Sequence, residues 1–225
     1  MPELPFPHIL GADAAGVVTE LGEGVNGFEI GESVIVAPGY PQKEEETNIR
    51  PTVIAPSFAL PGLHISGTYT QFMEVPAYAL IKDETGLKPE EVATLPVVLA
   101  TAVHSLKEIG EVKAGDKVLI HSGASGSGSM QIQVAKALGA DVAFGFSAGT
   151  EVKFDIRSLF FAQKTLRGSM ASDIEDLNWG LEQVRVGRIK PLLDLALPLS
   201  KAAEAHRLIS NNEVSGNIVL LPWAS

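Results

Sequence analysis

Residues 122–129 read Ser-Gly-Ala-Ser-Gly-Ser-Gly-Ser, and they stand between an apolar run at 118–121 and a helical pattern at 130–138. A glycine-rich turn between a strand and a helix lets the backbone approach a pyrophosphate, which then meets the N–H groups of the first helical turn. The glycines fall at 123, 126 and 128, a departure from the G-x-G-x-x-G spacing. The stretch indicates a dinucleotide-binding turn, and a purely structural turn is the alternative.

On both sides of this loop, segments with the hydrophobic pattern of a strand follow segments with the pattern of a helix. The loop belongs to a strand–helix–strand unit, whose parallel connection should be right-handed. Upstream, short strands punctuated by glycine and proline are typical of a compact barrel or sandwich. Ser200 is the predicted N-cap of a late amphipathic helix. The predicted strands are 16–22, 31–36, 69–75, 118–121 (a buried strand), 141–144, 192–197 and 217–221, and the predicted helices are 89–93, 96–109, 130–138, 154–161, 173–185 and 200–210.

Composition excludes several functional classes. The 225 residues are 45% hydrophobic with 22 Gly and 14 Pro, which is typical of a globular protein of one large or two small domains. The net charge of -10 disfavours a nucleic-acid or anionic-membrane surface. There are no cysteines, so disulfides, thiolate metal sites and a cysteine nucleophile are excluded. Without a transmembrane run or a signal peptide, we expect a cytoplasmic protein.

Five segments in order along the chain resemble the quinone oxidoreductase branch of the medium-chain dehydrogenase/reductase superfamily, to which the alcohol dehydrogenases belong. They are residues 7–18, 67–72, 93–102, 115–140 and 197–220. Their joint order is more specific than any one of them. The resemblance implies an α/β fold with a partial chaperonin-10-like (GroES-like), β-rich catalytic domain at residues 1–87 and 190–225. It places a partial Rossmann dinucleotide-binding domain at residues 88–189.

The resemblance also implies NADP or NAD as the cofactor. The backbone of residues 125–129 would hold the pyrophosphate, Thr101 would lie near the nicotinamide ribose, and residues 146–149 resemble a late loop that passes the nicotinamide. Relatives usually carry lysine after the glycine of the closing signature, where this chain has Asn217. The predicted cofactor-binding residues are Thr101, Gly123, Ser125, Gly126, Ser127, Gly128, Ser129, Phe146, Ser147 and Asn217.

Metal ligands are not evident in the sequence. Zinc-dependent relatives have Gly-His-Glu where this chain has Gly11-Ala12-Asp13, so the imidazole ligand is missing at that position. The histidines at positions 8, 64, 104, 121 and 206 do not pair at the spacing that metals prefer. We therefore predict no zinc and no other metal.

The chemistry that the resemblance implies is a direct hydride transfer in which the protein mainly orients the substrate. The serines of the loop lack the G-x-S-x-G elbow of hydrolases. We expect a zinc-independent oxidoreductase that uses NAD(P)H to reduce a small carbonyl, quinone or enone, and we expect a homodimer. No catalytic residue is identified. Tyr40 and Tyr69 are candidate proton donors, and ordinary packing is the alternative for both.

The chain is short for the fold that it resembles. A doubly wound fold needs about six strands, and residues 117–197 are too few for that number. An acidic or basic residue that reads the adenosine ribose is expected near position 143, where the chain has Val142-Ala143-Phe144. We expect a block to be missing near Phe144 and the amino terminus to begin within the catalytic domain. A truncation, a splice-like fragment or missing residues each explain this. The alternative function is a non-catalytic family remnant that acts as an interaction or dimerisation module.

Overall fold

A computed structural model describes residues 6–145, 156–161, 163 and 165–224 of the chain. Its strands are β1 Ala15–Val17, β2 Ser33–Val36, β3 Tyr40–Pro41, β4 Phe58–Ala59, β5 Leu80–Lys82, β6 Lys117–His121, β7 Asp141–Gly145, β8 Leu193–Pro198 and β9 Asn217–Leu221. Its α-helices are α1 Pro89–Val92, α2 Pro96–Val103, α3 Gly126–Ala137, α4 Ile156–Phe161, α5 Ile174–Arg185 and α6 Ala202–Ser210. A π-helical stretch at His104–Ile109 continues α2. None of the described helices is long and apolar enough to cross a membrane.

The amino-terminal part is a small antiparallel β structure. Strands β1, β2 and β5 form one sheet in that order, and β3 pairs with β4. The predicted strand at residues 69–75 is wrong, because this segment is irregular. The N–H groups of Thr68 and Tyr69 instead bond the carbonyls of Gly11 and Leu10 at 3.0 and 2.9 Å. Gly11 has φ +95°, which interrupts a regular ladder at this point.

The strand–helix–strand unit is confirmed. Strands β6 and β7 pair in parallel from Lys117 opposite Asp141 to His121 opposite Gly145, with α3 between them in sequence. The expectation of a buried strand at residues 118–121 is wrong in part. Ile120 is 3% exposed, whereas Leu119 is 62% exposed. Neighbouring residues of a strand point to opposite faces, and the described part of the chain leaves the Leu119 face largely uncovered.

Three helices share one apolar core with the strand–helix–strand unit. Leu99 of α2, Met130 and Val134 of α3, and Leu177 of α5 are at most 1% exposed and belong to the same cluster. Helix α5 lies close to α2 at Gly180, where a β-carbon would be 2.6 Å from Leu99 Cγ. This close packing fixes α2 and α5 beside each other.

The carboxyl-terminal part pairs β8 and β9 in parallel, with α6 between them in sequence. The closing strand at residues 217–221 is confirmed. The prediction of Ser200 as N-cap is wrong, because a 3-10 turn at Leu199–Lys201 precedes α6 and the helix begins at Ala202. Among the described residues, the parallel strands therefore form two separate pairs.

Candidate functional site

Helix α3 begins inside the glycine–serine run. Ser125 is the N-cap: its Oγ accepts a hydrogen bond from the N–H of Gly128 at 3.0 Å and donates one to the carbonyl of Ser122 at 2.8 Å. The first N–H groups of an α-helix have no partner within the helix, and they carry a partial positive charge. Ser125 and Ser127 are exposed, so this helix end is open to an anion from solvent.

The glycines of this turn have different roles. A β-carbon at Gly128 would lie 2.2 Å from the carbonyl oxygen of Ser122 and 2.9 Å from Gly123 Cα, both backbone atoms. Ser122 itself has φ +56°. The helix start thus packs directly onto the turn, and only glycine fits at position 128. A β-carbon at Gly126 would meet nothing closer than Asn217 Oδ1 at 3.4 Å. Packing within the protein therefore does not require glycine at position 126. A ligand that approaches the backbone closely at this position would require it.

Asn217 lies beside this helix end. It is the first residue of β9, and its backbone N–H bonds the carbonyl of Leu192 at 2.7 Å. Gln133 of α3 also exchanges hydrogen bonds with the backbone of Lys190, at 3.1 and 2.8 Å. The structure therefore brings Asn217 together with Gly126 and the rest of the predicted loop, although about 90 residues separate them in sequence.

The remaining predicted cofactor-binding residues are Thr101, Phe146 and Ser147, and they do not belong to the glycine–serine loop. Thr101 lies on α2, partly buried, one turn after the start of that helix. The cores of α2 and α3 are continuous through Leu99 and Val134. Phe146 and Ser147 lie outside the described residues.

Asp13 anchors the start of α2. Its Oδ1 accepts a hydrogen bond from the N–H of Val97 at 2.6 Å. Burial raises the pKa of the Asp13 carboxyl to about 6, and the hydrogen bond from Val97 opposes this rise. Val97 and Thr101 are four residues apart on one helix, so they lie on the same face. Asp13 thus sits one helical turn from the residue that the resemblance places near the nicotinamide ribose.

Tyr69 lies in the same region. Its hydroxyl is 3.3 Å from Nε2 of His206, which is exposed on α6, and the two ring centroids are 5.9 Å apart. Burial, and secondarily the charge of Asp13, raises the pKa of the Tyr69 phenol. Sequence reasoning missed the roles of His206 and Asp13, since 137 residues separate Tyr69 from His206 and no spacing pattern reports such a contact.

Tyr40 has a different environment. It is 4% exposed and packs with Val36, Ala37 and Ala79 in the amino-terminal core. Burial, with a smaller effect from Tyr78, raises the pKa of its phenol. These contacts favour the packing role for Tyr40.

The position at which zinc-dependent relatives carry a histidine ligand offers no imidazole in this chain. Ala12 supplies no ligand, and the neighbouring carboxylate oxygen of Asp13 is hydrogen-bonded to Val97. Elsewhere among the described residues, ligand atoms of His104, Asp173 and Asp176 lie within 4.8 Å of one another.

That histidine–aspartate cluster is a hydrogen-bonded brace. Nδ1 of His104 is 2.8 Å from Oδ2 of Asp176, an oxygen that also accepts from the N–H of Asp173 at 2.9 Å. Oδ1 of Asp173 accepts from the N–H of Thr52 at 2.6 Å. Burial raises the pKa of the Asp176 carboxyl, and the hydrogen bonds from Asp173 and His104 oppose the rise. The cluster therefore joins the segment at Thr52 to α5 and to the π-helical stretch that continues α2.

Two family models match the chain. The alcohol dehydrogenase GroES-like domain matches residues 1–90, and the zinc-binding dehydrogenase domain matches residues 102–220. A zinc-type alcohol dehydrogenase-like protein of Schizosaccharomyces pombe is 35% identical over 153 residues, which are 67% of this chain and 42% of that protein. Acryloyl-coenzyme A reductase of Sulfurisphaera tokodaii is 30% identical over 148 residues, 63% of this chain and 42% of that protein.

A crystal structure of an NAD-dependent alcohol dehydrogenase aligns with a TM-score of 0.85 at 26% identity, covering 98% of this chain and 84% of that one. The α/β fold with GroES-like and Rossmann-type parts is therefore confirmed. The chain spans less than half the length of the two curated relatives. The chain belongs to the zinc-binding dehydrogenase family of the medium-chain dehydrogenase/reductase superfamily.

Proposed function

We propose that this protein uses NAD(P)H to reduce a small carbonyl, quinone or enone without zinc. The observation that carries the proposal is the start of α3. Its N-cap is Ser125, its backbone packs against the turn at Gly128, and its first turn is open at Gly126 beside Asn217. A pyrophosphate fits such a helix end, because the N–H groups and the partial positive charge both favour an anion.

The reduced nicotinamide supplies a hydride when it is bound. The residues of the chain bind the cofactor and orient the substrate. The backbone of residues 125–129 holds the pyrophosphate, the carboxamide of Asn217 lies against the same helix turn, and Thr101 contacts the ribose on the nicotinamide side. In this proposal residues 88–189 bind the cofactor together with Asn217 of the closing segment, and the rest of residues 1–87 and 190–225 covers the substrate. Phe146 and Ser147, which lie outside the described residues, remain candidate cofactor-binding residues on the resemblance alone.

The zinc-independent form of the reaction is supported by the donor set around Ala12 and Asp13. Neither side chain offers the imidazole that zinc-dependent relatives carry there, and the chain has no cysteine. The name of the Sulfurisphaera relative, acryloyl-coenzyme A reductase, supports an alkene conjugated to a carbonyl as the reducible group. The absence of cysteine also supports the cytoplasm as the location.

NADPH consumption tests this function, followed through the absorbance of the reduced nicotinamide. The probes are 1,4-naphthoquinone, 2-cyclohexen-1-one and acryloyl-coenzyme A, with protein dialysed against EDTA or against buffer alone. We expect consumption with at least one probe, at the same rate in both preparations. Activity that EDTA removes and zinc restores would contradict zinc independence. No consumption with any probe would contradict the oxidoreductase function.

A second candidate function is an interaction or dimerisation module. It is favoured by apolar strand residues that the described part of the chain leaves uncovered, namely Leu119 of β6 at 62% exposure and Leu195 of β8 at 38%. A homodimer would cover such residues in either function. Sedimentation together with the NADPH assay separates the two: a dimer that consumes NADPH supports the enzyme, and a dimer that neither binds nor consumes it supports the module.

A further inference from the structure

We propose that Tyr69 and His206 form a proton-delivery pair, in which the Tyr69 hydroxyl protonates the reduced substrate and His206 returns a proton from solvent to Tyr69. This inference rests on the proposed function, and it identifies Tyr69 as the proton donor of the proposed reduction. It also gives a role to a histidine on α6, a helix that is far from the cofactor loop in sequence.

The position of Tyr69 is set from two sides. Its N–H bonds the carbonyl of Leu10 at 2.9 Å, and a β-carbon at Gly11 would lie only 2.5 Å from Cδ1 of the tyrosine ring. The ring therefore packs directly on the glycine backbone. At its other end the hydroxyl lies 3.3 Å from Nε2 of His206, slightly longer than a typical hydrogen bond. A side chain held in this way presents its hydroxyl in one direction, as a proton donor requires.

The surroundings of the pair favour rapid return of the proton. Tyr69 is partly buried, the charge of Asp13 acts on its phenol, and its hydroxyl lies 3.3 Å from Nε2 of His206. Burial and the charge of Asp13 both disfavour the phenolate. A phenolate formed by proton donation is thus quickly reprotonated if a donor is adjacent. His206 is adjacent and exposed, so it connects the phenol to bulk water.

Asp13 links the pair to the cofactor side. Its carboxylate bonds the N–H of Val97 at the start of α2, the helix that carries Thr101. The charge of Asp13 also acts on the Tyr69 phenol, so the same carboxyl group influences the pair and contacts the helix that carries Thr101.

The step balances in protons and electrons. Two electrons reach the substrate as a hydride, which forms a new C–H bond and leaves negative charge on the oxygen or the α-carbon. The O–H bond of Tyr69 breaks and its proton neutralises that charge. The Nε2–H bond of an imidazolium at His206 then breaks to restore the phenol, and the imidazole takes a proton from water. One proton from solvent is used for each hydride.

Kinetics of Tyr69→Phe and His206→Ala test the pair, with His64→Ala as the exposed-histidine control. We expect kcat for 2-cyclohexen-1-one to fall by at least about 100-fold in Tyr69→Phe and by about 10-fold in His206→Ala, with KM and the Kd for NADPH unchanged. Added imidazole should restore His206→Ala because the site is exposed, and it should not restore Tyr69→Phe. Unchanged kcat in Tyr69→Phe, or no rescue of His206→Ala, would overturn the inference.

A readout independent of turnover comes from nitrogen NMR of the imidazole rings. Tyr69→Phe should shift the Nε2 signal of His206 and leave that of His64 in place. An unmoved His206 signal would overturn the pair even in an active protein. A parent chain that binds no NADPH would overturn the proposed function instead, so the two failures are distinguishable.

Discussion

Gly128→Ala is expected to destabilise the protein by about 2 kcal/mol or more and to abolish NADPH binding. The added methyl would overlap the Ser122 carbonyl oxygen at 2.2 Å and the Gly123 Cα at 2.9 Å. These are backbone atoms, which cannot rotate away, so the turn or the helix start must move. Helix propensity alone predicts the opposite sign, because alanine is favoured over glycine in a helix by about 1 kcal/mol.

Gly126→Ala is the matched control for that substitution. It makes the same chemical change in the same helix turn, but its β-carbon would be 3.4 Å from the nearest atom, Asn217 Oδ1. We expect its free energy of unfolding to lie within about 0.5 kcal/mol of the parent value. Urea unfolding of both variants gives the comparison. Equal stability for the two variants would contradict the close packing of α3 onto the turn.

Gly180→Ala is expected to lower the free energy of unfolding by about 2 kcal/mol, through a clash between α5 and α2. The new methyl would lie 2.6 to 2.9 Å from Cγ, Cδ1 and Cδ2 of Leu99. Leu99 is 0% exposed, so its side chain has no open space into which it can turn. The overpacking therefore outweighs the gain in helix propensity of about 1 kcal/mol.

The double variant Gly180→Ala/Leu99→Ala tests whether the destabilisation comes from the contact between these two residues. Leu99→Ala alone should cost about 2–5 kcal/mol, because it leaves a cavity in the shared core. In Gly180→Ala/Leu99→Ala the methyl enters the cavity, so the clash disappears. We expect a coupling of at least about 1 kcal/mol, with the double variant more stable than the sum of the single effects. Additive effects would mean that α5 and α2 do not meet at these residues.

The local elements that the sequence predicts well are those with strong periodic or capping signals. Strand β9 and the strand–helix–strand unit around α3 both have apolar runs that end at glycine or polar residues. The start of α3 lies four residues earlier than the apolar pattern predicts, because Ser125 caps it and the helix runs through two glycines. Capping hydrogen bonds outweigh the low helix propensity of glycine here.

The elements that the sequence does not predict depend on long-range packing. Residues 69–75 alternate like a strand, but at the start of this segment the N–H of Tyr69 bonds the carbonyl of Leu10 and the N–H of Thr70 bonds the carbonyl of Thr68. Leu119 belongs to an apolar run, and its exposure depends on which elements cover the sheet. The contact between Tyr69 and His206 joins residues 137 positions apart. Local propensity carries no information about any of these contacts.

In the proposed function, the glycine–serine loop of this chain binds a dinucleotide at the start of α3. Titration of the chain with NADPH tests it most directly, followed by energy transfer from its two tryptophans. We expect saturable binding of NADPH by the parent chain. Gly126→Asp places a carboxylate where the pyrophosphate approaches, and it should weaken binding by at least about tenfold, or 1.4 kcal/mol. No saturable binding by the parent, or equal affinity in Gly126→Asp, would contradict the claim.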